Sequence, residues 1–228
     1  MWYWISLTNA TWSHPNVWTN NLGGTNVMPV VGGSNEYVIT FQPNITYTSW
    51  MNRGASFQLN RLVFNAGTVT LFAGVGGGGP TTNLVFRANN AGALPMFIQN
   101  SAGPITLGTA GVAVAGVNVI LSNDTIFAGT GTGTVTIEGQ LSGPGALIKS
   151  NAWALWTMLW DSSAITPVLP GLTNVMVHGG TFGVAITNAQ RWFNTWLSIG
   201  PWATGAISVV GGVASFYGTN VYGGTQTG

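Results

Sequence analysis

Residues able to do acid, base or nucleophilic chemistry are few and scattered in this chain. Its carboxylates and histidines are Glu36, Asp124, Glu138, Asp161, His14 and His178. Acid–base catalysis needs two such groups in one cleft. Asp124 and Glu138 are the best candidate pair, and the alternative is two isolated carboxylates held by water or by asparagine amides. Titratable residues this dispersed favour the second interpretation.

The remaining motifs of catalysis and cofactor binding are incomplete. Neither histidine lies near a Gly-x-Ser-x-Gly elbow, so no Ser-His-Asp triad is predicted. The glycine-rich segment 74–80 lacks the lysine of a phosphate-binding loop. Cysteine is absent, which excludes disulfides and thiolate metal sites, and two histidines without nearby acids do not predict a metal centre. We therefore expect no enzyme activity, no cofactor and no metal.

Charge is unusually scarce: only 4% of the 228 residues are charged and the net charge is +1. An ordinary soluble domain has about a quarter charged residues. The basic residues are scattered, so a nucleic-acid partner is not expected. Self-repulsion cannot keep copies apart, and a surface of Asn, Thr, Ser, Gly and aromatic groups favours an assembly of copies.

The location expected from the sequence is extracellular or at the cell surface, and the expected source is bacterial. A chain without cysteine suits export, although the segment Met1–Leu7 has no basic residue and does not read as a signal peptide. No segment reads as a membrane-spanning helix. Three Asn-x-Ser/Thr sequons occur, at Asn9, Asn44 and Asn123, and their modification is left open.

Short alternating segments between glycine and proline clusters predict an all-β fold. In residues 68–71, 117–121 and 134–138, apolar side chains occupy every second position, which is typical of half-buried strands. Pairs of such strands around a Gly corner recur along the chain. This weak repetition predicts one β-solenoid domain over residues 1–228, with coils of about 20–30 residues.

Residues 188–198 depart from the alternating pattern. Trp192, Phe193, Trp196 and Leu197 recur at helical spacing, which predicts one short helix here. The alternative is an irregular, aromatic-rich loop.

Several segments resemble the autotransporter-associated β-strand repeat proteins of bacterial surfaces. Residues 137–149 resemble that family's I-x-G-x-[IL]-S-G-x-G-x-L-x-K corner, and residues 59–71 resemble its first strand pair. The Trp-rich segment 11–18 is similar to the opening that precedes the first coils. Beyond Lys149 the chain departs from the family pattern, with residues 152–160 in place of Thr-Gly-Gly-Thr-Leu-Thr-Leu. The resemblance implies a right-handed parallel β-helix outside the cell and supplies no catalytic residues.

Clustered aromatic residues indicate where copies of the chain would meet. Residues 1–35 form a Trp-rich N-terminal segment expected to cap the solenoid or to dock onto a neighbour. Residues 153–160 are apolar on both faces of a strand, so both faces need cover. The residues predicted for the self-assembly interface are Trp2, Trp4, Trp12, Trp156, Met158, Trp160 and Tyr222. The expected product is a fibre, sheath or surface layer; the alternative is an adhesin that binds carbohydrate through its tryptophans.

Overall fold

The computed structural model describes most of the first 150 residues and parts of the remainder. Side chains are described for residues 1–21, 27–74, 82–108, 116–150 and 175–178. For the other residues assigned to strands, the backbone alone is described, at 157–161, 174, 181–185, 191–193, 196–199 and 214–216.

Short strands make up the described fold, and its only helical element is a single 3₁₀ turn at Pro15–Val17. The strands are, in chain order, β1 Trp2–Trp4, β2 Ala10–Thr11, β3 Trp18–Asn20, β4 Val38–Phe41, β5 Thr46–Met51, β6 Ser56–Leu59, β7 Arg61–Phe64, β8 Thr68–Ala73, β9 Thr82–Phe86, β10 Met96–Gln99, β11 Ile105–Leu107, β12 Val117–Leu121, β13 Thr125–Ala128, β14 Val135–Ile137, β15 Leu141–Ser142, β16 Leu147–Lys149, β17 Thr157–Asp161, β18 Asn174–Val177, β19 Thr181–Ala185, β20 Arg191–Phe193, β21 Trp196–Ile199 and β22 Ala214–Phe216.

These strands form three main sheets, which the chain visits in rotation. Sheet A has the order β21-β18-β16-β13-β10-β7-β4-β1-β3, sheet B the order β19-β17-β14-β11-β8-β5-β2, and sheet C the order β15-β12-β9-β6. Every described pair is parallel except β1 with β3. β20 and β22 form a separate parallel pair. The fold is therefore all-β with parallel sheets, as predicted, and its arrangement is compatible with a β-solenoid.

The length of one circuit follows from the strand register in sheet A. Successive register partners are residues 38, 61, 96, 126 and 148, so the circuits take 23, 35, 30 and 22 residues. One circuit is longer than the predicted 20–30 residues. Register is nevertheless maintained in the strands, because the differences in length lie in the connecting segments.

The interior is filled by the alternate residues that the sequence pattern predicted. Val135 and Ile137 of β14 are fully buried, while Thr136 between them is half-buried. Four phenylalanines of sheet A stack along the fold: Phe41 lies 5.0 Å from Phe64, Phe64 5.5 Å from Phe97, and Phe97 5.3 Å from Phe127, between ring centroids. Rings at these separations are packed in direct contact.

Glycines let the corners of successive circuits approach closely. Gly103 stacks on the Gly67 carbonyl, and Gly133 stacks in turn on the Gly103 carbonyl. A β-carbon at either position would collide with backbone of the preceding circuit, which no side-chain rotation relieves. The glycine-rich corners seen in the sequence thus fix the distance between circuits.

The N-terminal segment covers the first edge of each sheet. β1 pairs with β4 and then antiparallel with β3, β2 pairs with β5, and Gly33 bridges to Gln58 of β6. Three fully buried tryptophans fill the space inside this cover: Trp4 and Trp18 have centroids 5.1 Å apart, and Trp12 and Trp18 5.4 Å apart. We call residues 1–21 the N-terminal cap.

The predicted short helix at 188–198 is wrong. Within that segment the structure places strands β20 and β21, and β21 pairs in parallel with β18 at the end of sheet A. Aromatic residues are at least as favourable in a β-sheet as in a helix. Here pairing with the edge of sheet A favours the strand. Residues 188–190 and 194–195 lie outside the described residues.

Candidate self-association surface

Outward-facing side chains differ sharply between the three sheets. From β4 to β18 the outer face of sheet A is predominantly apolar, and its residues with described side chains are Val38, Thr40, Arg61, Val63, Met96, Ile98, Ile126, Ala128, Ile148 and Met176. Arg61 is its one charged residue among the described strands. Eight of these ten residues are half-buried, and Thr40 and Ala128 are buried. A sheet face lined by apolar side chains that keep part of their surface exposed is a candidate contact surface.

Register aligns these side chains into two rows along the fold. The longer row passes from Val38 through Arg61, Met96, Ile126 and Ile148 to Met176. The shorter row is Thr40, Val63, Ile98 and Ala128. Neighbours in a row stand about 4.8 Å apart, so the side chains shelter one another, and most are half-buried rather than exposed.

The size of this face can be compared with known interfaces. The six strands that carry these residues lie about 4.8 Å apart, with up to four residues of about 3.3 Å each, and span about 29 by 13 Å, or roughly 380 Å². Two such faces packed together would cover roughly 760 Å², less than the about 1,000 Å² of a specific interface, so a stable contact would extend beyond these six strands.

Sheet C presents a polar row on its outer face, beside a second row that includes Val85 and Ile120. Asn83 Nδ2 donates to Ser56 Oγ at 3.2 Å, and Asn118 Nδ2 donates to Asn83 Oδ1 at 3.0 Å. The Gln140 backbone N–H then donates to Asn118 Oδ1 at 3.0 Å. This ladder joins β6, β9 and β12 to Gln140, the residue before β15, on the outside of the sheet and leaves less hydrogen-bonding capacity for a partner.

The structure describes the side chains of three predicted interface residues, Trp2, Trp4 and Trp12. Trp4 and Trp12 have no exposed surface, because they form the core of the N-terminal cap, and Trp12 Nε1 donates to Ser49 Oγ at 2.7 Å. They are therefore removed from the candidate interface. Trp2 is half-buried, with its ring 5.8 Å from that of Tyr37.

The other predicted interface residues are only partly described. Met158 and Trp160 stand in register with the core residues Val135 and Ile137, and their side chains are outside the described residues. Trp156 and Tyr222 lie outside them altogether. The predicted roles of these four residues stay predictions.

Sequence reasoning missed the outer face of sheet A, although a signal for it exists. Residues 62–64, 96–98 and 126–128 are continuous apolar runs rather than alternating ones. A strand that is apolar on both faces must be covered on both. The same rule, applied to these runs, would have found the face.

The candidate catalytic pair is not brought together at one corner. Asp124 precedes β13 at the corner between sheets C and A, where its Oδ1 accepts the Ala146 N–H at 2.9 Å. Glu138 follows β14 at the corner between sheets B and C. In the described part of the chain, no group of three or more His, Asp or Glu side chains could hold a metal ion.

Lys149, the single lysine of the chain, lies inside the fold with no exposed surface. Burial lowers the pKa of its ammonium group to about 8. Its strand neighbours in sheet A are Phe127 and Val177, both also buried. The amine thus faces the core and not a surface where a substrate could reach it.

A shallow groove of about 380 Å³ crosses the corner between sheets A and B. Its lining consists of small and neutral polar residues, including Asn44, Asn65, Gly67, Thr68 and Ser101, and contains no aromatic ring. The predicted stacking of sugars on tryptophan therefore finds no support in this groove.

Asn9 and Asn44, two of the three sequon asparagines, are exposed. The third, Asn123, is half-buried, and its Oδ1 accepts the Ala88 N–H at 3.0 Å.

Comparison with protein-family models, with curated proteins and with solved structures finds no match to this chain. The resemblance to autotransporter-associated repeats stays a prediction. Among the described residues, no helix has the length and apolar character needed to cross a membrane.

Proposed function

We propose that the chain is a right-handed parallel β-helix that serves as a non-enzymatic structural subunit, assembling with its own copies outside the cell. The outer face of sheet A is the observation that supports this most strongly. Right-handed crossovers predominate when parallel strands of one sheet are joined, which favours that hand here. The family resemblance and the scarcity of charge favour an extracellular fibre, sheath or layer.

A second copy is the occupant that best fits the outer face of sheet A. The strands of two copies have the same spacing, so rows of side chains from one face can pack between rows of the other, with the two sheets about 10 Å apart. The net charge of +1 offers little long-range repulsion between copies.

The N-terminal cap closes the interior at one end of the sheets. β1 and β2 pair with β4 and β5, and Gly33, just beyond the cap, bridges to Gln58 of β6. Trp4, Trp12 and Trp18 are fully buried inside the cap. The side-by-side contact proposed for sheet A uses the outer face of the sheet and not this end.

Sedimentation velocity of the full chain, at rising concentration and with and without about 1 M salt, tests the proposal. The wild type is expected to form oligomers that persist in salt, and electron microscopy should show a regular polymer. Ile126→Lys puts a charge at the centre of the apolar face and should weaken association on the order of 100-fold. Thr106→Lys, on the outside of sheet B, is the matched control and should associate like the wild type.

Two results would count against the proposal in different ways. A monomer at every concentration would refute self-assembly itself. Oligomers that form equally well with Ile126→Lys would refute the role of sheet A while leaving self-assembly intact.

A further inference from the structure

The outer face of sheet B carries an ordered array of threonines. One column is Thr48, Thr70, Thr106 and Thr136, which are direct register partners on four successive strands. A second column lies two residues earlier on three of these circuits, at Thr46, Thr68 and Thr134. Six of the seven are half-buried and Thr46 is exposed, while the residues between them point into the core.

The hydroxyl groups of these threonines are available to solvent. Within the described part of the chain, none of the seven forms a side-chain hydrogen bond to protein. This contrasts with sheet C, whose outward asparagines bond to one another across the strands. The outward residues of β5, β8, β11 and β14 also include no charged group.

The array is regular in two directions. Neighbouring strands place hydroxyls about 4.8 Å apart, and residues two apart on one strand place them about 6.7 Å apart. Threonine is stiff at its first side-chain torsion, so each hydroxyl and methyl pair is held in few orientations. These side chains therefore lose little conformational entropy when a ligand with a regular surface binds.

We infer that the outer face of sheet B binds ice. Water oxygens in ice form a lattice with a repeat close to the spacing between β-strands. Hydroxyls at that interval can hold water in lattice positions, while the intervening methyl groups exclude disordered water. Charged groups would orient water around themselves and disrupt this order, and the outward residues of β5, β8, β11 and β14, which carry the array, include none.

A competing ligand for the same face is a crystalline polysaccharide. Trp50 and Phe72 are outward register partners at one side of the threonine columns, and aromatic rings can stack on sugars. They occupy only two strands, whereas the hydroxyl array extends over four. The repeating feature of the face is therefore the threonine array, which favours a lattice of water.

Slow freezing of a solution of the full chain, followed by measurement of the protein held in the ice and in the remaining liquid, tests the inference. Inhibition of ice recrystallisation provides a second readout. The wild type is expected to enter the ice and to keep its crystals small. Thr106→Lys and Thr70→Lys should each lose both effects, with circular dichroism spectra and melting temperatures close to those of the wild type.

Two controls separate this face from the rest of the molecule. Gln58→Lys adds the same charge to the outer face of sheet C and should leave ice binding intact. Ile126→Lys should also keep it, because ice binding does not depend on the proposed self-assembly. Exclusion of the wild type from ice would overturn the inference, even if the protein adsorbed to powdered cellulose. Retention of ice binding by Thr106→Lys, or equal loss with Gln58→Lys, would overturn it as well.

Discussion

Replacement of the single lysine by methionine should change how the stability of this protein depends on pH. Lys149 has no exposed surface, and its pKa falls from 10.5 to about 8 because burial penalises the ammonium form. A pKa difference of one unit corresponds to about 1.36 kcal/mol, so charging this amine costs the fold at most about 3 kcal/mol. Methionine has a similar shape and carries no charge, so Lys149→Met should stabilise the protein at neutral pH by up to that amount.

The sign of the pH dependence follows from where the protons are bound. Below about pH 8 the amine is charged in both the folded and the unfolded chain, and the full cost is present. Between about pH 8 and 10.5 the unfolded chain binds more protons than the folded one, so the free energy of unfolding rises with pH. Burial also raises the pKa of Tyr47, which lowers stability above about pH 10, where the unfolded tyrosine ionises.

Urea unfolding, followed by circular dichroism at several pH values between 7 and 10, measures this effect. The wild type should gain stability across that range, and Lys149→Met should gain much less. Ile148→Met, which alters the neighbouring outward residue, is the control and should keep the wild-type slope. If the free energy of unfolding changed equally with pH in the wild type and in Lys149→Met, the idea that charging the buried amine destabilises the fold would be refuted.

Three further substitutions test the packing of the fold, each read as a change in the free energy of unfolding. Ile137→Lys buries a charge and should cost several kcal/mol, whereas Thr136→Lys points outward and should be mild; equal damage would show that the register is wrong. Phe97→Ala removes a fully buried ring from the phenylalanine stack and should cost about 3–5 kcal/mol; a loss below about 1 kcal/mol would contradict that packing. Gly133→Ala forces a methyl group against backbone and should cost about 1–3 kcal/mol, while Thr132→Ala, at an exposed neighbouring position, should change little.

Local periodicity predicted which side chains fill the core. Val117, Val119 and Leu121 are all fully buried, as their spacing of two required, because a strand has only two faces and one of them lines the interior. The glycine clusters likewise predicted corners, since close stacking of backbone excludes any larger residue. These features depend on a few neighbouring residues, so one sequence was enough to find them.

Features that depend on pairing between distant segments were not predicted. The antiparallel strand β3 closes sheet A through its register with β1, and nothing in residues 18–20 alone encodes that partner. Trp4 and Trp12 were assigned to an interface because large aromatic residues suit both surfaces and cores, and only the arrangement of the cap decides between them. The helix predicted near Trp196 was wrong for the same reason, since the free edge of β18 outweighs local spacing.

The N-terminal cap and the order of the strands have a consequence for how the chain acquires its structure. In sheet A each new strand from β4 onward pairs with the strand one circuit earlier, so position along the chain and position along the stack coincide from β4 to β21. Each circuit needs only a loop of 22–35 residues to close between β4 and β16. A chain that is released N-terminus first can therefore fold circuit by circuit. The first circuit, which packs against the N-terminal cap, provides the strands with which the next circuit pairs.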